Sequence, residues 1–464
     1  MQSSKTKAGL SIFTLVMLIT VSIDSIRNLP ATALFGNTLI FFFVFASIVF
    51  LIPTALVSAE LSSTWTRDGG IYHWVLMAFG EKIAFLAIWL QWINTMVWYP
   101  TILSFIAGTA AFLIDPKLAQ NKIYLVSIIL GVFWLLTLVN LKGLKTSARF
   151  ASVCAIVGMI IPMVLIITLA VIWVFLGKPI QLHINGNTII PHFGHMSSWI
   201  SLTAIMTAFL GMELATVHVR NVEDAQHKFP KAMFYSVVII ASTMIFGALA
   251  IAFVLPHDQI NLVDGVMQAF SGFFRTYHMH WMIPVIAVAL LIGSLGGMIN
   301  WIISPAKGLL QAAEHGYLPK FFQKENKHGV ASHLLITQAL LVSVVCLAFL
   351  LMPSVNGSYW LLTDLSTQLY MLMYIFMFFA ALCIHYKYAD HPKSFKIPCG
   401  SFGKWVACLL GVIGCSITLV VGFFPPAGIN VGGAMHYEVL FSSGIILMLL
   451  PALFFYGYRY YNRN

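Results

Sequence analysis

Three charged side chains stand inside segments that are otherwise apolar. Asp24 and Arg27 lie in SIDSIRNLP, directly after a run of fourteen uncharged residues, and Glu213 lies in TAFLGMELATVHV. An ionised group in hydrocarbon is costly unless it is paired or lines a polar cavity. Each of these residues is therefore either a structural partner in a buried pair or a group that binds a polar solute or a proton.

The composition places these charges in a membrane protein. Only 9% of the 464 residues are charged and 60% are hydrophobic, whereas an ordinary soluble domain has about 25% charged residues. Runs of about 20 uncharged residues, the length that crosses a bilayer as a helix, occur about twelve times. The predicted spans are 9–36 (interrupted), 38–61, 83–113, 123–140, 151–176, 199–218, 233–255, 282–304, 334–352, 358–385, 405–424 and 437–457.

The distribution of basic residues explains the net charge of +10 without a nucleic-acid partner. With a cytoplasmic amino terminus, the segments on the inner side carry twenty Lys and Arg residues and those on the outer side carry four, while Arg27 lies in a span. This is the excess that the positive-inside rule describes. The sequence predicts a single polytopic domain with both termini cytoplasmic.

Two spans contain residues that interrupt a helix. Pro30 lacks an N–H and disfavours helix at Leu29, so the first helix should end before Pro30 and a short second one should start there. Gly211 and Glu213 interrupt the sixth span. Interrupted spans at corresponding positions indicate a transporter built from inverted repeats, with substrate held between half-helices. The alternative is that Pro30 kinks one helix and Gly211 only permits close packing.

Six segments between the second span and the eleventh form an ordered set: AELSSTWTRDGGIYHWV, NLKGLKTSARF, FLGMELATVHVRNVEDAQHKFPKAM, INLVDGVMQAF, NWIISPAKGLLQAAEHGYLPKFFQKENKHGV and SFKIPCG. Taken in this order, they resemble the amino acid–polyamine–organocation superfamily, and within it most closely the bacterial glutamate/γ-aminobutyrate antiporters. The resemblance implies an all-α membrane protein with a LeuT-like five-plus-five inverted repeat, broken first and sixth helices and two additional helices. The repeats would cover about 9–176 and 199–385, and the additional helices about 405–457.

Two departures leave the substrate open. Many relatives have a run of small residues of the GSG type in the first span, where this chain has Ile23-Asp24-Ser25-Ile26-Arg27. The glutamate/γ-aminobutyrate exchangers have an acidic residue four positions before a tryptophan in the eighth span. Here Trp301 matches the tryptophan, but Gly297 occupies the acidic position.

The predicted substrate site uses the ends of the interrupted helices. Free N–H groups at the start of a half-helix bind a carboxylate, and carbonyls at the end of another bind an ammonium. Asp24 and Arg27 either neutralise each other or face the substrate separately. The candidate substrate-binding residues are Ile23, Asp24, Ser25, Ile26, Arg27, Phe209, Leu210, Gly211 and Trp301.

Other candidate residues concern coupling and gating. The resemblance makes Glu213 the acid that senses or carries protons, and the alternative is a carboxyl that only fixes helix packing. Trp92, Asn94 and Trp98 of the third span are candidates for the wall and gate of the pocket. A membrane tryptophan is more often a packing or interface residue.

These features predict a secondary active amino-acid transporter, an antiporter that works by alternating access in the bacterial inner membrane. Proton-coupled uptake of amino acids or amines is the alternative, and a membrane amino-acid sensor is the non-transport alternative. The expected partners are a small amino acid or amine, the lipid bilayer and protons. The spans contain no HExxH, no GxSxG and no His/Cys cluster with metal-ligand spacing, so we expect neither an enzyme nor a cofactor or metal. Coupling ion and oligomeric state stay open.

Overall fold

The structure is a computed structural model that describes residues 11–65, 70–143, 148–182, 189–191, 199–214, 216, 224–313, 315–393 and 395–463. Within these ranges regular structure is helical, apart from one isolated bridge between Glu325 and Ala331. The first ten α-helices are α1 (Ile12–Ile23), α2 (Leu29–Ala33), α3 (Leu39–Ala46), α4 (Ile52–Thr64), α5 (Ile71–Phe79), α6 (Glu81–Ala111), α7 (Lys122–Leu141), α8 (Ala148–Ala155), α9 (Ile161–Phe175) and α10 (Ser201–Ala208). The other nine are α11 (Ala225–Val254), α12 (Gly265–Thr276), α13 (Met282–Leu310), α14 (Lys320–Gln323), α15 (Ser332–Val345), α16 (Ala348–Leu351), α17 (Val355–Lys387), α18 (Gly400–Val421) and α19 (Ala434–Arg463).

The helices confirm an integral membrane protein with about twelve spans. Ten helical segments of the described chain are long and apolar enough to cross a bilayer, and a shorter apolar one covers Ser201–Leu214. Helix α6 has 31 residues, or about 46 Å at 1.5 Å per residue, which exceeds the roughly 30 Å of hydrocarbon. Its Trp, Gln, Asn and Pro residues lower its hydropathy. The ten segments are Ile12–Ala33, Gly36–Thr64, Lys122–Leu141, Ser152–Phe175, His227–Val254, Met282–Ala313, Ser332–Leu351, Val355–Lys387, Gly400–Val421 and Ala434–Tyr461.

Helices α6 and α17 form the centre of the bundle. They pack against each other, and both are buried along most of their length. Polar side chains such as Gln91, Asn94 and Ser366 have protein partners there, which lipid could not supply. Helix α19 is by contrast mostly exposed and lies at the periphery. The polar composition of α6 thus follows from its interior position.

Contacts between helix ends agree with the predicted sidedness of the segments. Buried Glu60 near the end of α4 forms an ion pair with Lys404 of α18, and Arg459 of α19 pairs with Glu81 of α6. All four residues belong to ends that the sequence places on the inner side. The side that faces the cytoplasm stays a prediction.

The fifth and eighth spans touch backbone to backbone. A π-helical turn, Ile156–Ile160, precedes Pro162 at the start of α9. Proline has no N–H to continue the regular hydrogen-bond pattern, and π turns accommodate such a break. Gly158 of this turn lies against Gly293 of α13, and a Cβ added to Gly158 would lie 2.2 Å from the Gly293 Cα. Only glycine permits this crossing.

The segment between α11 and α13 packs on the second part of the first span. Gly265, the first residue of α12, lies against Pro30 of α2. The preceding residue, Asp264, is 3% exposed and accepts a hydrogen bond of 3.4 Å from the Gln120 side chain. A carboxyl outside the spans is therefore buried where α12 meets the bundle.

We expect Asp264 to make stability depend on pH. Burial raises the pKa of Asp264 from 3.8 to about 7. The folded protein binds this proton more tightly than the unfolded chain, so the stabilisation is complete below about pH 4 and is lost as pH rises to about 7. Asp264→Asn should flatten the decline of the melting temperature between about pH 5 and pH 7, measured by intrinsic fluorescence in detergent.

Asp258→Asn is the matched control, because Asp258 is exposed in the same segment. It should leave the pH dependence of the melting temperature unchanged. If Asp264→Asn and the wild type lose stability equally across this range, the titration of Asp264 does not govern it.

Candidate functional site

The first break lies among the predicted residues Ile23–Ile26, before Pro30. Helix α1 ends at Ile23, and Asp24 and Ser25 are extended, with φ/ψ of −61°/124° and −143°/111°. A 3-10 turn, Ile26–Asn28, leads into α2, which begins at Leu29. The expectation that Leu29 avoids helix is wrong. Pro30 lies in the first turn of α2, where a missing N–H costs little.

The second break follows α10. That helix ends at Ala208, Gly211 has a φ of +104°, and residues 212–214 form a 3-10 turn. A Cβ on Gly211 would lie 3.9 Å from both the Ser22 carbonyl oxygen and the Ile23 side chain. The two predicted breaks are therefore neighbours in space. Residues 215 and 217–218 of the predicted sixth span lie outside the described residues.

Asp24 is buried, and only one of its two carboxylate oxygens accepts a hydrogen bond from the residues that the structure describes. Its Oδ2 accepts a hydrogen bond of 2.7 Å from the Thr243 hydroxyl of α11. Its Oδ1 is buried and has no hydrogen-bond partner within the described part of the chain. The side chain is 4% exposed. One carboxylate oxygen at the break thus has no hydrogen-bond donor among the described residues.

The Arg27 side chain contacts α6, whereas that of Asp24 contacts α11. Its Nη1 donates a hydrogen bond of 3.0 Å to Thr101 of α6, and the guanidinium lies 5.0 Å from the ring centre of Trp98. Among the described residues, Nε has no hydrogen-bond partner and no carboxylate pairs with the guanidinium. Of the two alternatives for Asp24 and Arg27, the structure shows separate partners rather than an ion pair.

Trp301 joins this group. Its ring centre lies 5.3 Å from that of Trp98, and its carbonyl oxygen accepts a hydrogen bond of 2.7 Å from the Tyr99 hydroxyl. Arg27 thus lies over the Trp98 ring, and Trp98 lies beside the tilted ring of Trp301, so the three residues connect the first, third and eighth spans. The structure brings together these three predicted site residues.

The other residues predicted on the third span have different neighbours. The Trp92 indole donates a hydrogen bond of 3.2 Å to Gln338 of α15. Asn94 accepts a hydrogen bond from Ser366 of α17. Phe209 is fully buried against Phe43, with ring centres 5.7 Å apart. A gating role for Trp92 and Asn94 stays a prediction.

Glu213 lies in a network that connects the second break to α17. Its Oε1 accepts hydrogen bonds from Tyr370 at 2.7 Å and from Gln91 at 3.3 Å, and its Oε2 accepts one from Tyr374. The Tyr374 hydroxyl in turn accepts the Gly211 N–H at 2.9 Å. Both carboxylate oxygens of Glu213 therefore accept hydrogen bonds, whereas Oδ1 of Asp24 has no partner among the described residues.

Sequence reasoning missed the partners of the charged residues. Tyr370 and Tyr374 are four positions apart on α17, a spacing that places both on one helix face. Nothing in an apolar run shows which neighbour that face meets. Within the described ranges, no group of three or more His, Cys, Asp or Glu side chains could hold a metal ion.

Two interrupted spans that meet beside buried charges, in a bundle of about twelve apolar helices, define the class of polytopic membrane transporters. The sequence profile described as amino acid permease matches residues 10–450. The chain belongs to this family.

Three relatives show the range of the family. An uncharacterized transporter of Legionella pneumophila subsp. pneumophila is 40% identical over 449 residues, which cover 97% of this chain and 97% of the relative. A glutamate/gamma-aminobutyrate antiporter of Lactococcus lactis subsp. cremoris is 28% identical over 454 residues, 96% of this chain and 90% of the relative. A probable agmatine/putrescine antiporter of Lactococcus lactis subsp. lactis is 23% identical over 395 residues, 84% and 83% respectively.

The Tyr374 hydroxyl should support both the break and the carboxylate. Tyr374→Phe would leave the Gly211 N–H and a Glu213 oxygen unpaired in the interior. We expect a loss of about 1–3 kcal/mol, seen as a lower melting temperature in detergent. Tyr235→Phe is the control, because Tyr235 is 53% exposed on α11. Equal melting temperatures for the two variants would contradict this role.

Proposed function

We propose that the chain is a secondary active amino-acid transporter, an antiporter of the glutamate/γ-aminobutyrate exchanger type that works by alternating access. The observation that carries the proposal is the contact between the two breaks, where Gly211 lies next to Ser22 and Ile23. The glutamate/gamma-aminobutyrate antiporters among the relatives support an amino-acid substrate. Two inverted repeats, about 9–176 and 199–385, would rock about this site, with 405–457 as additional helices.

The breaks supply the groups that an amino acid needs. The first amides of a helix and the last carbonyls of another have no partner within their helix. Those at the start of the 3-10 turn suit a carboxylate, and those at the end of α1 suit an ammonium. We assign Ile23, Asp24, Ser25, Ile26, Arg27, Phe209, Leu210, Gly211 and Trp301 to substrate binding, and Trp92, Asn94 and Trp98 to gating.

Proton-coupled uptake of amino acids or amines is the second candidate. The observation in its favour is Glu213, a carboxylate that is 2% exposed and hydrogen-bonded to the residues beside the second break. Protonation of Glu213 would remove its negative charge, add a donor to one of its oxygens and weaken the hydrogen bonds from its three donors. Proton binding would in this way be coupled to the arrangement of α17 around the break.

Counterflow in proteoliposomes tests the transport function. Vesicles loaded with unlabelled glutamate or γ-aminobutyrate should take up the labelled compound several-fold faster than empty vesicles, because an exchanger needs a substrate on both sides. Collapse of a pH gradient with a protonophore should leave strict exchange unchanged and should abolish proton-coupled uptake. Liposomes without protein give the background. A lack of flux with every amino acid and amine would refute both candidates.

We further propose a bacterial inner-membrane location with both termini cytoplasmic. The support is the twenty inner against four outer basic residues. Contacts of Glu60 with Lys404 and of Glu81 with Arg459 are consistent with a common side for these ends.

Cysteine labelling tests this orientation. Cys399 is exposed in a predicted inner segment, and Cys383 is the remaining cysteine that is not buried. In a Cys383→Ser background, a membrane-impermeant maleimide should label Cys399 only after cells are permeabilised. A variant with Cys399→Ser and His280→Cys should be labelled in intact cells, because His280 is exposed in a predicted outer segment. The reverse pattern would invert the topology.

A further inference from the structure

We propose that Arg27 and Asp24 separately recognise the two ends of a zwitterionic substrate, so that the site selects solutes with a carboxylate and rejects dicationic amines. This inference rests on the proposed transport function and narrows its substrate class. The family alone does not decide the matter, because its relatives include both glutamate/gamma-aminobutyrate and agmatine/putrescine antiporters.

The first argument is the missing counter-charge of Arg27. The side chain is 6% exposed, and no described carboxylate forms an ion pair with it. Thr101 offers it only an oxygen lone pair, because the Thr101 hydroxyl itself donates to the Trp98 carbonyl at 2.7 Å. A buried cation without an anion is costly, and the Trp98 ring and the neighbouring Tyr359 hydroxyl, which is neutral, compensate only part of that cost. A substrate carboxylate would supply the charge.

The geometry of Arg27 suits an anion that arrives at the break. Its Nε–H is buried and has no partner in the described chain, although one edge of the guanidinium is held by Thr101. A guanidinium binds a carboxylate through two parallel N–H donors. The free amides at the start of the 3-10 turn Ile26–Asn28 lie beside it in the chain.

The second argument is the incomplete environment of Asp24. The Thr243 hydroxyl has one hydrogen, and the Ile239 carbonyl, 2.8 Å away, competes with Asp24 for it. The other Asp24 oxygen has no partner among the described residues. Glu213 differs, because three donors already surround it. Asp24 is thus the carboxylate at the breaks with an oxygen that can still accept a hydrogen bond from an ammonium.

The third argument is the balance of charge. Two extended residues, Asp24 and Ser25, turn the two side chains toward different helices, so the charges do not cancel in a direct pair. A zwitterion pairs both and leaves the site neutral. A diamine could pair with Asp24, but its second ammonium would meet Arg27, and such like-charge contact excludes wrong partners.

Matched solutes give the experiment. γ-Aminobutyrate, butylamine and putrescine share one ammonium and a similar carbon chain, and differ in carrying a carboxylate, a methyl group or a second ammonium. Initial exchange rates in proteoliposomes should favour γ-aminobutyrate over both amines by at least about tenfold in the wild type. Glutamate, glutamine and agmatine extend the comparison to longer solutes.

Variants test whether Arg27 and Asp24 cause the preference for a solute with a carboxylate. Arg27→Gln should lower the exchange of γ-aminobutyrate at least about tenfold and reduce its preference over butylamine, and Arg27→Lys should fall between it and the wild type. The double change Asp24→Asn with Arg27→Gln should not restore exchange. Arg275→Gln is the control, because Arg275 is exposed at the end of α12.

Each outcome decides a separate claim. Wild-type exchange of putrescine or agmatine at rates equal to carboxylates overturns this inference and leaves a transporter. A lack of flux with all solutes overturns the transport function itself. Arg27 has a structural role if Arg27→Gln lowers the melting temperature but leaves the order of exchange rates among the solutes unchanged. The same conclusion follows if the double variant recovers exchange. Should Arg27→Gln not fold, the wild-type rates and Arg27→Lys decide alone.

Discussion

Backbone polar groups that leave a helix inside a membrane need partners, and this requirement governs the centre of the molecule. The interrupted backbone segments of the two spans lie next to each other, where Gly211 is close to Ser22 and Ile23. Helices α6 and α17 surround them and supply hydroxyl and amide groups, such as the Tyr374 hydroxyl for the Gly211 N–H. Polar residues of these two helices supply hydrogen-bond partners to the interrupted segments, which lipid cannot do.

Two buried carboxylates beside the breaks differ in how fully they are satisfied. Glu213 has donors from α6 and α17, so a change in its charge must alter contacts between spans. Asp24 shares one hydroxyl with a backbone carbonyl and keeps one oxygen without a described partner. This difference is the basis on which we propose a proton-responsive role for Glu213 and a substrate-binding role for Asp24.

The sequence predicted about twelve spans and singled out Asp24, Arg27 and Glu213 as isolated charges within them, because length, hydropathy and isolated charges are local properties. It placed the first break within Ile23–Ile26, where the chain opens at Asp24 and Ser25. It wrongly expected Leu29 to avoid helix, since proline is tolerated in the first turn of a helix. It could not assign Thr101, Thr243 or Tyr374 as partners. The rotation of a long apolar helix is fixed by packing with distant spans, which no local pattern records.

The contact between Gly158 and Gly293 limits how the fifth and eighth spans can move. No side chain separates their backbones there, and one turn away the Cys154 side chain lies against Gly296, where a further side chain would not fit. A shift along either axis by one residue would drive side chains into main chain. The two helices can therefore rotate relative to each other about this crossing far more easily than they can slide along each other.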